Sequence, residues 1–417
     1  MRRILIVGAG QSGLLLALGL QTRGYDVTLM SHRTADEIRG GRVMSAPCAF
    51  RTALAHERAL GLDFWSGHAP GIEGLGICVA GPGAGGAAPA AHWVGRLAGR
   101  ARSVDQRVQT AGWLDTFTER GGRLVIHGAT VSDLDFFASR YDLVIVATGR
   151  GELASLFERD PARSPYAAPQ RALAVSYVHG LGPGHSHPGL ETVHCTLVPG
   201  AGELLVIPTL TASGPADILF WEGIPGGPLD VFQDPRTPAE HLARTLELLE
   251  RYAPWVYARA THVELTDAGA TLTGRATPVV RRPVGRLPSG GIVLGAADVV
   301  VTDDPVTGQT ANSAAKCAAA YLAAIVERAE RPFDARWMRS LFEHHWEARA
   351  RHVTEWTNTM LAPLRPHVLG LMTAAADHQS VADRIANGYD DPSDFGDWFY
   401  DPRRAAAYVS RVAAGRA

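Results

Sequence analysis

A five-residue stretch, Arg3 to Val7, opens the chain with apolar residues and runs straight into a glycine turn, Gly8 to Gly13. The apolar stretch after it, Leu14 to Thr22, is too long for a strand and stops short of Gly24, as a buried helix with a glycine terminator does. Asp26 to Met30 then reads as a second strand. Strand, glycine turn, helix and strand within the first 30 residues make the opening βαβ unit of a doubly wound fold.

The pattern then breaks. Gly71 to Gly95 reads as a β-hairpin with a long Gly/Ala/Pro loop, which fits poorly in a parallel sheet and points to another domain. Helical spacing returns from Val104 to Gly121, followed by a strand at Arg123 to His127 and a continuous apolar run at Tyr141 to Thr148 that fits a buried parallel strand. Between about Gln170 and Arg282 the texture is short alternating strands, among them Glu203 to Thr209 and Asp217 to Glu222, with one helix over Pro238 to Tyr252. A strand at Gly291 to Leu294 and an Ala-rich helix at Ala311 to Arg328 resume the α/β character, and Trp337 to Val412 is mostly helical.

The expected fold class is therefore α/β, or α+β taken whole. A Rossmann-like dinucleotide-binding domain at 1–168 would carry the hairpin insertion, about 71–95, that joins an antiparallel-sheet substrate domain at 169–284. Residues 285–330 would return to the first domain, and 331–417 would form a C-terminal helical region.

Composition narrows the function. The chain has 417 residues, 46% hydrophobic and 20% charged, with a formal net charge of −2. Its arginines are interspersed with acids rather than gathered in a basic stripe, and aromatics are few, so no nucleic-acid partner is expected. Four cysteines lie far apart without a C-x-x-C pair, which reads as reduced packing residues and no metal site. No apolar run reaches the ~20 residues of a membrane helix, and the expected compartment is the cytoplasm.

Gly8-Ala9-Gly10-Gln11-Ser12-Gly13 matches G-x-G-x-x-G in its proper place, after a strand and before a helix. Gly8 permits the tight turn, Gly10 lets a pyrophosphate approach the backbone, and Gly13 lets helix and strand pack closely. The acid that usually ends the second strand and accepts from the ribose is missing: the segment reads Ser31-His32-Arg33. Loose adenosine binding follows, and His32 reads as a loop residue rather than a catalyst.

A second fingerprint comes late. Asp298, at a strand end, can accept from a ribitol hydroxyl, while the loop Asp304-Pro305-Val306-Thr307-Gly308-Gln309-Thr310-Ala311-Asn312 runs into a helix and offers N–H groups to an electron-rich ring edge. A reduced flavin needs both.

These motifs resemble the flavoprotein monooxygenases of the p-hydroxybenzoate hydroxylase superfamily, most nearly the styrene and indole monooxygenase group. The resemblance spans nearly the whole chain: Gly8 to Gly13, Gly41-Arg42, Val104 to Arg107, Tyr141 to Gly149, Pro169 to Leu173, Ile207 to Leu210, Asp304 to Asn312 and Trp356-Thr357-Asn358. It implies reduced, exchangeable FAD delivered by a separate NAD(P)H-dependent flavin reductase. Oxygen then forms a C4a-hydroperoxyflavin that epoxidises or hydroxylates a small aromatic or alkenyl substrate. Where single-component hydroxylases carry a D-G segment, this chain has Ala147-Thr148-Gly149, in keeping with the two-component reading.

By the same resemblance Gln11, Ser12, Ser31, His32, Arg33, Arg42, Arg107, Thr148, Gly149, Thr310, Ala311 and Asn312 join the three glycines and Asp298 around FAD. Ser45, Pro305, Thr307, Gly308 and Gln309 stand where the chemistry occurs. The hydroperoxide needs a dry pocket, and Val43, Met44, Leu210, Phe220 and Val306 are its candidate walls. Core packing competes with that reading for each apolar residue, and a surface ion pair does so for Arg42 and Arg107. Serine at position 45 matches the indole-acting branch rather than the asparagine of styrene-acting members, so an indole or another bulky arene is the expected substrate. A single-component NAD(P)H-dependent hydroxylase and a non-catalytic flavin-binding module remain as alternatives, and a homodimer stays open.

Overall fold

A computed structural model describes residues 2–81, 89–149, 151–183, 190–233 and 237–415. The tip of the Gly/Ala/Pro hairpin loop, 82–88, falls outside the described residues. The first sheet has six strands in the order Val284–Arg286, Ile292–Gly295, Leu143–Val146, Arg3–Val7, Asp26–Ser31 and Arg123–Ile126. All pair in parallel except the edge strand Val284–Arg286. Ile4 and Ile6 pack on one face with the helices Gln11–Thr22 and Thr310–Arg328, while Leu5 and Val7 pack on the other with Phe342 and Trp346. Burial on both faces explains why these strands read as continuous apolar runs.

From Arg3–Val7 the chain steps outward through Asp26–Ser31 to Arg123–Ile126 on one side, and through Leu143–Val146 to Ile292–Gly295 on the other. The direction reverses between Arg3–Val7 and Leu143–Val146. A crevice opens beyond the carboxyl ends of strands at such a reversal, where ligands of doubly wound sheets bind.

The second sheet has eight strands and contains the hairpin Gly71–Val79 and Ala91–Arg102, which extends past the expected end at Gly95. It is antiparallel save where Gly71–Val79 runs parallel to Thr192–Val198 and so joins the insertion to the rest. Alternation divides its central strands cleanly. Leu204, Val206, Leu219 and Trp221 lie under the helix Pro238–Tyr252, through Leu248 and Leu249. Leu205, Ile207, Ile218 and Phe220 face the other way, onto Val43, Cys48 and Phe50.

Pro238–Tyr252 starts where it does because Thr237 and Glu240 form a reciprocal capping box and Pro238 needs no N–H partner in the first turn. The C-terminal helices seat on Ala91–Arg102, where a Cβ at Gly95 would collide with the backbone of Ala382. A short π-turn, Trp346–Ala350, interrupts the helical region. Among the described residues no helix is long and apolar enough to cross a membrane.

Candidate active site

At the crevice, Gly8 sits at φ +117° with its N–H on the Met30 carbonyl, and a Cβ there would lie 2.7 Å from the Ala147 oxygen. Gly13 is equally constrained, since a Cβ would collide with the Gly8 carbonyl. Gly10 is different: its backbone is extended and nothing lies within 4 Å of where a Cβ would be. The first and third glycines are demanded by the fold, whereas the second leaves open space above the helix N-terminus.

Buried polar atoms line that space without partners. Both ends of the Gln11 amide and the Thr148 hydroxyl are unsatisfied, and so is the Gln309 carbonyl oxygen on the far side. Buried polar groups are ordinarily hydrogen-bonded, so such a set marks where a polar ligand belongs. Asp298 closes the crevice beside Gly149, where a Cβ would lie 3.1 Å from the Asp298 Cβ. These residues fit a dinucleotide laid from the glycine turn toward the 304–312 loop.

The end of the second strand turns in on itself. The buried Ser31 hydroxyl donates to the Arg33 carbonyl at 2.6 Å, while His32 is exposed and Arg33 reaches the Met44 sulfur at 3.1 Å. No acid is present there to take a ribose.

Arg42 is exposed, with no ion-pair partner among the described residues, and is available to a phosphate. Arg107 is not. Its guanidinium bonds Asp105 at 2.9 Å, grips Asp267 through both terminal nitrogens at 2.9 and 2.8 Å, and donates to the Gly41 carbonyl at 3.1 Å. These contacts hold Arg107 against the Gly41 turn next to Arg42. The Val43 N–H, bonded to the Gly269 carbonyl at 2.9 Å, fixes the same turn.

The Asn312 amide accepts from the Phe50 N–H at 2.8 Å and donates to the Cys48 carbonyl at 2.9 Å, so its side chain clamps the 48–50 segment. Among the expected pocket walls, Leu210 has on its strand the parity of Leu204 and Val206, on the sheet face opposite Phe220. Phe220, Val43 and Val306 are buried, with Met44 and Pro305 half-buried. The Ser45 carbonyl accepts from the Tyr177 hydroxyl at 2.8 Å, and the buried Ser45 hydroxyl has no partner of its own.

The 304–312 loop is built to be rigid. Asp304 caps the turn Pro305–Thr307 through the Val306 N–H, Gly308 takes φ +61°, and Gln309 donates to the Tyr389 carbonyl at 3.0 Å. Beyond it Thr310 is exposed and Ala311 buried at the start of the helix. Burial pushes the Asp304 carboxyl up to about 6, and its second oxygen has no partner.

Two further ties were not foreseen. Thr307 and Thr357 share a hydroxyl hydrogen bond of 2.7 Å, and Thr354 donates to Asp303 at 2.9 Å. Both anchor the loop to the helix Arg351–Leu361, whose Trp356 packs edge-on against Tyr389 at 4.6 Å. The motif Trp356-Thr357-Asn358 was the available signal, but its partners lie some 50 residues away in sequence.

Comparison with known proteins decides what this crevice belongs to. Styrene monooxygenase StyA of Pseudomonas fluorescens is 31% identical over 99% of this chain and 98% of its own length, and that of Pseudomonas sp is 30% identical over the same shares. The chain belongs to the styrene monooxygenase family of flavoprotein monooxygenases. Residues 149–259 match the family model described as "Styrene monooxygenase A putative substrate binding domain", a range that contains the inner-face strands of the second sheet. Among solved structures, a flavoprotein/dehydrogenase from Cytophaga hutchinsonii superposes with a TM-score of 0.70 at 12% identity over the full length of both chains. The flavin-dependent brominase Bmp2 gives 0.65 at 12% identity over 98% of this chain and 99% of its own. Both share the fold of this chain.

Proposed function

We propose that this chain is an FAD-dependent monooxygenase that takes reduced FAD from a separate NAD(P)H-dependent flavin reductase and oxygenates an indole-like or other aromatic or alkenyl substrate. The observation that carries this reading is the set of buried, partnerless polar groups at Gln11 and Thr148 by the glycine turn and at Gln309 on the 304–312 loop, together with the open backbone of Gly10. Bound there, reduced FAD would activate molecular oxygen for transfer of one atom to the substrate.

The chain's own residues do the rest. The Gly8 to Gly13 turn and Arg42 would receive the pyrophosphate, Asp298 the ribitol, and the N–H groups around Gly308 to Ala311 the ring edge. Arg107 keeps the Arg42 turn in place, and the ties from Thr354, Thr357 and Tyr389 keep the ring-facing loop in place. Val43, Phe220 and Val306 exclude water from the reacting end, which protects activated oxygen from wasteful release. With Ser31 closed on its own turn and no acid for the ribose, FAD is held reversibly, as a cofactor passed between two proteins requires. The proposed compartment is the cytoplasm.

The test mixes purified protein anaerobically with photoreduced FAD, then adds labelled oxygen with an indole and styrene panel. One labelled oxygen atom in the organic product supports the proposal, and hydrogen peroxide as the sole product sinks it. Steady NADPH oxidation without any reductase would favour the single-component alternative.

A further inference from the structure

The middle of the inner face of the second sheet is apolar, at Leu205, Ile207, Ile218 and Phe220. Glu222 lies two residues beyond Phe220 on the same strand and the same face, and is completely buried. Neither of its carboxylate oxygens has a hydrogen-bond partner, and among the described residues no other buried carboxyl group is left with both unsatisfied. Directly across the strand pair stands Glu203. Arg171 serves Glu203 alone, gripping it through two nitrogens at 2.8 and 2.9 Å. Asp304, the cap of the ring-facing loop, is the other acid coupled to Glu222. Three carboxyl groups therefore gather near one guanidinium, which hydrogen-bonds only Glu203 among them.

Burial, and then the charge of Glu203, raise the Glu222 carboxyl well above its ordinary range, so it stands as a neutral acid with a C=O that accepts and an O–H that donates. An unsatisfied carboxyl at the end of an apolar wall is costly to leave without a partner. The surplus of acid around it favours the positive end of an N–H dipole and repels an anion. We infer that Glu222 is the polar anchor of the substrate pocket, accepting the ring N–H of a neutral heteroaromatic substrate and disfavouring aromatic carboxylates. This assignment rests on the monooxygenase reading above.

The test compares indole with indene, which keeps the bicyclic shape and replaces N–H by CH2. Calorimetric binding to the FAD-loaded protein and kcat/KM with reduced FAD are both measured, for wild type, Glu222→Leu and Glu222→Gln. Wild type is expected to bind indole about tenfold more tightly than indene or better. Glu222→Leu brings that ratio to about one, and Glu222→Gln, which keeps an acceptor oxygen, restores most of it. A wild-type binding ratio near one, or a ratio unchanged in Glu222→Leu, overturns the inference; a bound water satisfying Glu222 would give the latter. Should Glu222→Leu fail to fold, the wild-type binding ratio decides alone. Binding preference for indole without oxygenation of either compound would instead sink the monooxygenase proposal and leave the anchor standing.

Discussion

Thr307 and Thr357 meet hydroxyl to hydroxyl at 2.7 Å, both essentially inaccessible to solvent, and this contact ties the 304–312 loop to a helix 50 residues further along. Thr357→Val keeps the shape and removes the bond, stranding the Thr307 hydroxyl. The expected cost is about 1–2 kcal/mol in denaturant unfolding. Affinity for FAD, read by fluorescence titration, should fall along with stability, because the loop that meets the ring loses an anchor. Unchanged affinity would show that the loop is held well enough by Asp303 and Gln309.

The three glycines of the first turn separate folding from binding. Gly13→Ala forces a side chain into the Gly8 carbonyl and should cost about 3 kcal/mol or more, visible as a lowered melting temperature without any ligand. Gly10→Ala meets nothing and sits on extended backbone that any residue adopts, so the free protein should melt as wild type does. Its FAD affinity should nonetheless drop by about tenfold or more, since the methyl group occupies the space left for the pyrophosphate. Wild-type FAD binding by Gly10→Ala would move the cofactor elsewhere.

Arg107 and its two acids give an asymmetric prediction. Asp105 is buried and Asp267 has a side chain 40% exposed. Arg107→Met strands a buried carboxylate and should cost about 3–5 kcal/mol. Asp267→Asn leaves Arg107 paired with Asp105 and should cost no more than about 1 kcal/mol, because water screens the pair it breaks. Urea unfolding of both variants checks the order, and equal costs would mean that Asp267 carries more of the Gly41 turn than its exposure implies.

Elements governed by local chemistry were legible in the sequence. The helix Pro238–Tyr252 begins and ends where its capping box and period place it, and Arg3–Val7 is bounded by the glycine turn that follows. What the sequence left hidden depends on contacts between distant segments. Nothing local shows that Asp267 pairs with Arg107, or that Asn312 spends its amide on Cys48 and Phe50. The face that Leu210 occupies was hidden for a different reason: alternation gives two faces but does not say which one the helix Pro238–Tyr252 covers. Glu222 carried no motif at all, and only its burial opposite a paired Glu203 singles it out.

Asp304 predicts how stability varies with pH. Its carboxyl is raised by burial from 3.8 to about 6 in the folded chain, so between those values the folded state holds a proton that the unfolded state has released. The stabilisation is complete below about pH 4, declines as pH rises through 6, and is absent at pH 7, a change of about 2–3 kcal/mol. Asp304→Asn, neutral throughout and still able to accept from the Val306 N–H, should flatten that decline and leave the protein more stable than wild type at pH 7. Parallel unfolding curves at pH 4.5 and 7 decide the matter. A wild-type slope that persists in Asp304→Asn would assign it to another group, with Glu222, also raised by burial, the first to examine.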